Sequence, residues 1–407
     1  MISNPVTRKV KQSFMVTFIE AQQAIKKFAH SFGTEQVQLD DALGRVLVEE
    51  VRADRDYPPF NRSAMDGFAL RKEDFDRGLV RFTIIDTIFA GKSTDKILVE
   101  GECFKIMTGA AVPLSADVVI RREESVVEDS EVCFDLNEVK KYQNIAQKGE
   151  DIKQGETVLS PGLKITPAIT GVLATMGKQI VSVEKLPLIA IITTGDEVVS
   201  AESSVGDVQI RNSNLPVLKS LIKQWNIVPA YCMHVPDNVE ALRDAIRQAL
   251  FCDLVIISGG VSAGDADYIP QVLLELGVKN LFYKVAIKPG KPLWCGHTDA
   301  SCMVFALPGN PFSCLVTYTL FIKSYLEQCF GISSPALMLP LKTDRKRRVA
   351  LDEFFPVSFA GTPTHLVPVA LNGSGDIRLA YEAQALALHS SEIELLEAGE
   401  SVFTFLL

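Results

Sequence analysis

The most regular pattern of apolar and polar positions runs through residues 177–330, where short apolar stretches alternate with amphipathic ones. Short apolar runs are typical of buried strands, and apolar residues at helical spacing are typical of helices packed on a sheet. The pattern predicts an α/β layered domain with a mainly parallel sheet. The predicted strands are Leu186–Thr194, Val228–His234, Asp253–Ser258 and Met303–Leu307, and the predicted helices are Asn212–Trp225, Asn238–Leu250, Tyr268–Leu276 and a long helix ending at Cys329.

The rest of the chain follows different patterns. Residues 56–145 alternate apolar and polar positions in short runs, which predicts a β-rich module, and residues 332–407 predict a C-terminal all-β domain in the same way. Apolar residues return at helical spacing in 14–55 and 146–176, including predicted helices at 39–47 and 167–176. We therefore predict that these two segments form one α-rich linking domain, split by the β-rich module.

Composition and charge exclude several classes of protein. The 407 residues are 47% hydrophobic and 22% charged, which is typical of globular chains rather than disordered or fibrous ones. No apolar run is long enough to cross a bilayer, and we expect a soluble cytoplasmic protein. The net charge of −9 gives no support for nucleic-acid binding. The 8 cysteines lack zinc-type spacing, so we expect buried reduced thiols.

Glycine and proline follow three of the predicted strands. In open α/β sheets ligands bind beyond the carboxyl ends of the strands, so we name these segments the first loop (193–197), the second loop (258–268) and the third loop (307–311). Glycine-rich backbone exposes amides to phosphate, and proline is favoured at the start of a helix. The candidate ligand-binding residues of the second and third loops are Gly259, Gly260, Ser262, Gly264, Pro308, Asn310 and Pro311.

Acids and lysines flank these loops. Lys284, Lys288 and Lys291 lie between the second and third loops, in a segment that also contains glycine and proline. Glu197 and Asp267 follow the first and second glycine turns. Carboxylates that bind a divalent cation beside lysines that bind an oxyanion would form a coherent site, and oxygen ligands favour Mg²⁺ over zinc.

Each of these residues also has a purely structural interpretation. Asp237 stands at capping-box spacing from Glu240, and on spacing alone we rank helix capping ahead of metal binding. Asp267 can cap the helix at Tyr268, and Asp66 can shape a turn. The basic run 342–348 is interpreted as a solvated loop between strands.

Taken together, these segments resemble the molybdopterin molybdenumtransferase family, which includes the E domain of gephyrin. The matching segments occur in the family's order from about residue 14 to the C-terminus, with Asn61 and Phe68 departing from the usual residues of the first block. The blocks are 59–69, 106–110, 149–151, 194–197, 258–268, 286–292 and 307–311.

The resemblance implies a four-domain, elongated homodimer that inserts molybdenum from molybdate into adenylylated molybdopterin, with Mg²⁺ assisting and AMP released. It places the site between the α/β domain of one subunit and the β module of its partner. The metal ligands implied are Glu197, Asp237 and Asp267, and Asp66 and Thr108 complete the catalytic set across the interface. Lys284, Lys288, Lys291 and Ser374 complete the implied substrate-binding set.

Two other functions stay open at this point. One is adenylylation of molybdopterin, because the related adenylyltransferases share the glycine loop and the Pro-Gly-Asn-Pro turn; that enzyme is also a candidate partner. The other is a non-catalytic scaffold like that of gephyrin. Molybdate and tungstate are both tetrahedral dianions, so the sequence does not choose between them.

Overall fold

The computed structural model describes residues 15–261, 268–333, 335–370, 372–373, 375–376 and 378–407. They fall into two compact units. The inserted unit comprises residues 38–41 and 48–181, and the main unit comprises the described residues among 1–37, 42–47 and 182–407. None of the described helices combines the length and apolarity needed to span a bilayer.

The inserted unit contains a six-stranded sheet with buried residues on both faces. All neighbouring strands are antiparallel except the pair Arg81–Ile88 and Glu102–Ile106. In spatial order the strands are Val118–Arg121, Gly67–Leu70, Glu102–Ile106, Arg81–Ile88, Glu131–Phe134 and Ser125–Glu128. The prediction of a β-rich module here agrees with these strands.

Smaller elements complete the inserted unit. They are the paired strands Val51–Arg52 with Thr157–Leu159 and Arg62–Ser63 with Ile145–Ala146, the helices Lys72–Asp76 and Pro167–Thr175, and the 3₁₀ turns Leu39–Asp41 and Arg122–Glu124. The helix predicted at 39–47 is wrong, because only its first turn forms. Gly44 has a φ of +79°, a left-handed conformation that ends any helix there.

The main unit is built on a six-stranded mixed sheet, which we call the central sheet. Its first four strands pair in parallel and its last two pairings are antiparallel, so the predicted parallel sheet forms most of it. In spatial order the strands are Tyr231–Val235, Ile189–Thr194, Leu254–Ser258, Met303–Leu307, Trp294–His297 and Lys279–Tyr283. The last two were not predicted.

Helices cover both faces of the central sheet. Ile189 and Ile191 belong to one core cluster and Ala190 and Ile192 to the other, as the alternation of side chains along a strand requires. The helices are Phe18–Lys26, Asn214–Lys223, Val239–Ala249, Ile269–Glu275, Pro311–Thr317 and Lys323–Cys329, with a π-helical segment Tyr318–Ile322 between the last two. All eight cysteines are free and most are buried, which agrees with the prediction of buried thiols.

A second sheet, the C-terminal sheet, has its own core around Phe355 and Leu396. In spatial order its strands are Ile287–Lys288, Asp352–Ala360, Ala385–His389, Ser401–Leu406 and Leu337–Pro340, with His365–Pro368 also paired to Asp352–Ala360. The main unit also contains two strand pairs, Val198–Val199 with Ile210–Arg211 and Arg345–Lys346 with Leu395–Leu396, and the short helix Leu379–Glu382. The lysine-bearing strand Ile287–Lys288 therefore forms one edge of the C-terminal sheet. The four-domain division stays a prediction.

Candidate functional site

The first and third loops and the described start of the second surround a cleft of about 360 Å³ at the carboxyl edge of the central sheet. The strands are in register there, with Ser258 opposite both Thr193 and Leu307. The loops that follow them therefore emerge side by side, as predicted from the strand pattern. We call this the acidic cleft. Among the residues lining it are Thr194, Glu197, Asn214, Asp237, Gly259, Gly260, Pro308, Gly309, Asn310 and Pro311.

Carboxylates gather on one side of the acidic cleft. Glu197 and Asp237 line it, and the Asp237 backbone N–H donates to the Asp196 side chain at 3.0 Å. Burial raises the pKa of Asp237, and the charges of Asp196 and Glu197 raise it further. Carboxylates held together against their mutual repulsion form an environment that a divalent cation would stabilise.

The prediction that Asp237 caps a helix is wrong. A cap at Asp237 would start the helix at residue 238, but the helix spans Val239–Ala249 and its N-cap is Asn238. The Asn238 Oδ1 accepts from the backbone N–H groups of Glu240 at 3.0 Å and Ala241 at 3.1 Å. Asn is as good an N-cap as Asp, so the capping requirement is met without Asp237. The Asp237 carboxylate faces the cleft instead.

Two asparagines that sequence reasoning missed hold the loops together. The Asn214 Nδ2 donates to Ser258 Oγ at 2.9 Å and to the Gly309 carbonyl at 2.7 Å, which ties the second loop to the third. The Asn212 Nδ2 donates to Thr193 Oγ1 at 2.8 Å at the entrance to the first loop. Both residues lie at the start of a predicted helix, where Asn ordinarily suggests only a cap.

The second loop begins with close backbone packing. Gly259 has a φ of +107°, and a Cβ placed on it would lie 2.7 Å from Thr194 Oγ1 and 2.9 Å from the Thr194 carbonyl. Only glycine fits this approach, so the loop presents bare backbone to the cleft. Gly260, which also has a positive φ, continues this surface.

A second cavity of about 560 Å³ adjoins the acidic cleft and shares Pro292, Pro308 and Asn310 with it. We call it the basic pocket, because it is lined by Lys288, Lys291, Arg345 and Arg348 with one acid, Glu353. Among the described residues, neither lysine forms an ion pair. The two lysines thus leave positive charge available to an anion.

Arg345 departs from the interpretation of 342–348 as a solvated loop, whereas Lys342, Lys346 and Arg348 of the same run are exposed. The Arg345 side chain is only 13% exposed and pairs with Glu353. Lys284, in contrast, lines neither cavity: its Nζ lies 5.1 Å from the Tyr283 ring centroid, and its φ of +71° turns the chain. The predicted lysine cluster therefore splits, with Lys288 and Lys291 alone facing the pocket.

In the inserted unit the structure brings together two predicted residues that are 42 positions apart. Both the backbone N–H and the Oγ1 of Thr108 donate to Asp66 Oδ1 at 2.7 Å. These hydrogen bonds lower the pKa of the exposed Asp66, with a smaller contribution from Arg122. Asp66 is consequently a fixed, ionised carboxylate on the surface of this unit.

Four predicted residues, Ser262, Gly264, Asp267 and Ser374, lie outside the described residues. In the part of the chain that the structure describes, no three His, Cys, Asp or Glu side chains gather closely enough to hold a metal. Asp267, the third predicted metal ligand, is one of the four residues outside the described ranges. The metal set stays a prediction.

Comparison with known proteins decides the family. Residues 16–177 match the MoeA N-terminal region (domains I and II), and residues 190–328 match the probable molybdopterin-binding domain. A molybdopterin molybdenumtransferase of Staphylococcus epidermidis is 36% identical over 324 residues, 77% of either chain. The chain belongs to the molybdopterin molybdenumtransferase family. This confirms the resemblance and the prediction of an enzyme of this type.

Further relatives extend the match beyond these regions. The molybdopterin molybdenumtransferase of Staphylococcus aureus is 31% identical over 394 residues, 94% of this chain and 93% of the relative. The molybdopterin biosynthesis MoeA protein of Pyrococcus horikoshii superposes with a TM-score of 0.83 at 27% identity, covering 97% of this chain and 100% of that chain. The family resemblance therefore extends beyond residue 311, where the last of the matching sequence blocks ends.

Proposed function

We propose that this chain inserts molybdenum from molybdate into adenylylated molybdopterin and releases AMP, as a step of molybdenum cofactor biosynthesis. The observation that carries the proposal is the shared wall between the acidic cleft and the basic pocket, formed by Pro292, Pro308 and Asn310. An adenylate that carries a phosphoanhydride and a separate oxyanion can bind side by side across that wall. Family membership supports the same reaction class.

The acidic cleft suits the adenylate. Gly259 and Gly260 bring bare backbone to its floor, and Asn214 holds the second and third loops at a fixed spacing. Glu197 and Asp237 would hold Mg²⁺, since their oxygen ligands and accumulated negative charge fit a hard divalent cation. When bound, the ion would neutralise charge on the phosphoanhydride whose cleavage releases AMP.

The basic pocket suits molybdate. Lys288 and Lys291 supply ammonium groups without competing partners among the described residues, and Arg345 and Arg348 supply guanidinium groups from the other side. A tetrahedral dianion bound there would lie next to the adenylate, where the dithiolene sulfurs of the pterin can form bonds to molybdenum. Tungstate has the same charge and shape, so the pocket would accept it too.

We also propose that the protein is a homodimer whose sites use Asp66 and Thr108 from the partner subunit. The two hydrogen bonds that Thr108 donates to Asp66 fix an ionised carboxylate on the surface of the inserted unit. Groups with a shifted pKa are enriched at functional sites, which supports a role for this carboxylate in the partner's site.

The test of the function is release of AMP from adenylylated molybdopterin by the purified chain, with molybdate and Mg²⁺ each added or omitted. We expect rapid release only when both are present. Consumption of ATP with molybdopterin as substrate would favour the adenylyltransferase instead. Absence of both reactions in a folded protein that binds the pterin would favour the scaffold.

The composite site has a separate test. Mixing inactive Asp66→Ala chains with inactive Glu197→Ala chains should restore AMP release, because one of the two sites of the mixed dimer would contain neither substitution. A mixture of Asp66→Ala with Thr108→Val is the matched control and should stay inactive, since both changes affect the same half of the site. Failure of the first mixture to recover, after subunit exchange is verified by mass, would contradict the shared site.

A further inference from the structure

Two buried residues that are not sequence neighbours of Arg345 hold its guanidinium, which lines the basic pocket. Strand register explains how they meet. Lys288 lies opposite Glu353 in one strand pair, and Glu353 lies opposite His389 in the next. Residues opposite each other share a face of the sheet, so Lys288, Glu353 and His389 form one row across three strands.

Arg345 lies over this row. Its Nη2 donates to Glu353 Oε2, its Nη1 contacts His389 Nδ1 at 2.6 Å, and its guanidinium carbon lies 3.9 Å from the Phe355 ring centroid. The other Glu353 oxygen accepts from the backbone N–H groups of Arg348 and Val349, each at 2.8 Å. A carboxylate, an imidazole and an aromatic ring thus hold the guanidinium in one position.

The partners of His389 determine its protonation. A guanidinium can only donate, so the Nδ1 beside Arg345 must be the acceptor. The Nε2 lies 3.0 Å from the Ile393 carbonyl, which can only accept, so Nε2 must carry the hydrogen. His389 is therefore neutral, and it is completely buried.

Charge around the ring favours the same state. Burial lowers the pKa of His389 and the nearby Arg345 lowers it further, with Arg347 adding to the effect and Glu353 opposing it. Glu353 itself stays ionised: burial would raise its pKa, but the hydrogen bond and charge of Arg345 and the two backbone donors hold the pKa below the usual range.

We propose that Glu353 and His389 are positioning residues that aim the Arg345 guanidinium into the basic pocket, and that oxyanion binding there requires His389 to be neutral. A proton on Nδ1 would replace the acceptor with a second donor that faces a cation. Arg345 would then lose its fixed position, although Lys288 and Lys291 would keep their charge. The identification of the oxyanion as molybdate rests on the proposed function; the positioning does not.

The direction of the pH effect follows from the lowered pKa. Above the ordinary histidine pKa of about 6.5 the ring is neutral whether the protein is folded or unfolded, so the contact is fully formed. As the pH falls from there towards the lower pKa of the folded state, the unfolded chain takes up the proton first and stability decreases. Oxyanion affinity should decrease when the folded ring itself becomes protonated.

The test is molybdate binding to the full chain by equilibrium dialysis, between about pH 5 and pH 8. We expect wild-type affinity to fall on the acid side. His389→Asn, which keeps an acceptor oxygen near the Nδ1 position but does not titrate, should keep the neutral-pH affinity and remove that fall. His389→Leu and Glu353→Ala should each bind about tenfold more weakly at neutral pH, a typical loss for supporting residues.

The controls separate this role from general damage. His365→Asn changes a histidine of the same sheet that lies outside the basic pocket, and should behave as the wild type. Lys288→Ala should weaken binding at every pH, which identifies the pocket as the binding place. Nitrogen-15 spectra of the wild-type imidazoles report the protonation state of His389 directly, without the leucine variant. The His389 signals are assigned by comparison with His389→Asn. We expect a proton on Nε2 alone at neutral pH.

Several results would overturn the proposal. They are an unchanged pH dependence in His389→Asn, full affinity in His389→Leu, or a doubly protonated His389 at neutral pH. If AMP release fails while molybdate binding still depends on His389, the proposed function is wrong and the positioning role stands. If AMP release is molybdate-dependent but indifferent to His389 and Glu353, the positioning role is wrong and the function stands.

Discussion

Substitutions at the neighbouring residues Asp237 and Asn238 distinguish the effect of charge in the acidic cleft from the effect of helix capping. Asn238→Ala removes the acceptor of two hydrogen bonds, at 3.0 and 3.1 Å, from the first turn of Val239–Ala249. Loss of such a cap costs about 0.5–2 kcal/mol of the free energy of unfolding. Asp237→Asn removes no cap, so this cost should be absent.

The pKa of Asp237 gives the sign of the remaining effect. Because burial and the charges of Asp196 and Glu197 raise this pKa in the folded state, the resulting stabilisation is fully present below the unfolded pKa, and it is lost as pH rises through the folded pKa. At neutral pH the ionised Asp237 therefore opposes folding. Asp237→Asn should leave the free energy of unfolding unchanged or higher, and the gain should disappear in acid.

The assay pairs urea denaturation with calorimetric titration of Mg²⁺ and with AMP release. We expect Asp237→Asn to be at least as stable as the wild type at neutral pH, while its Mg²⁺ affinity and Mg²⁺-dependent turnover fall strongly. Asn238→Ala should be destabilised and still respond to Mg²⁺. The reasoning is refuted if Asp237→Asn loses as much stability as Asn238→Ala and keeps its response to Mg²⁺.

Three further predictions concern the walls of the two cavities. Gly259→Ala should cost about 1–3 kcal/mol more stability than Gly277→Ala, because both glycines have positive φ but only Gly259 would place a Cβ against other atoms; equal losses by urea denaturation would argue against the close approach. Lys288→Ala should raise the KM for molybdate more than kcat falls, whereas Lys346→Ala, exposed and outside the basic pocket, should leave both kinetic constants unchanged. Asn214→Ala leaves the Gly309 carbonyl without this donor and should raise the KM for the adenylate at a stability cost of about 1–3 kcal/mol, so an unaltered KM would contradict its role in spacing the loops.

The sequence was sufficient to locate the acidic cleft, because that inference is local. Met303–Leu307 was predicted with the bounds it has in the structure, and the Leu254–Ser258 strand was predicted to within one residue. The carboxyl ends of parallel strands meet at one sheet edge, so the position of their loops follows from the strands alone. Gly259 and Pro308 could be assigned to one cleft on this basis.

The helix cap shows where a local pattern is insufficient. Asp237 has capping-box spacing from Glu240, yet Asn238 fills the position. Both adjacent residues have good capping side chains, so the sequence alone does not decide which of the two positions is the N-cap. The backbone resolves it, since Asn238 is extended while the next residue is helical.

The basic pocket depended on contacts that no local pattern contains. Arg345 belongs to a run of bases that by composition suggests a solvated segment. Its burial follows from pairing between strands that are distant in sequence, which sets Glu353 between Lys288 and His389. The position of Lys284 also depends on a contact that the local pattern does not contain, because its ammonium group lies over the Tyr283 ring and lines neither cavity.

Coupled molybdenum insertion and AMP release can be measured in a single-turnover reaction of the purified chain with adenylylated molybdopterin, in which released AMP and pterin-bound molybdenum are quantified in the same sample. We predict equal amounts of both, formed together and only when molybdate and Mg²⁺ are present. AMP released without molybdenum in the pterin, or molybdenum inserted while the adenylate stays intact, would contradict it.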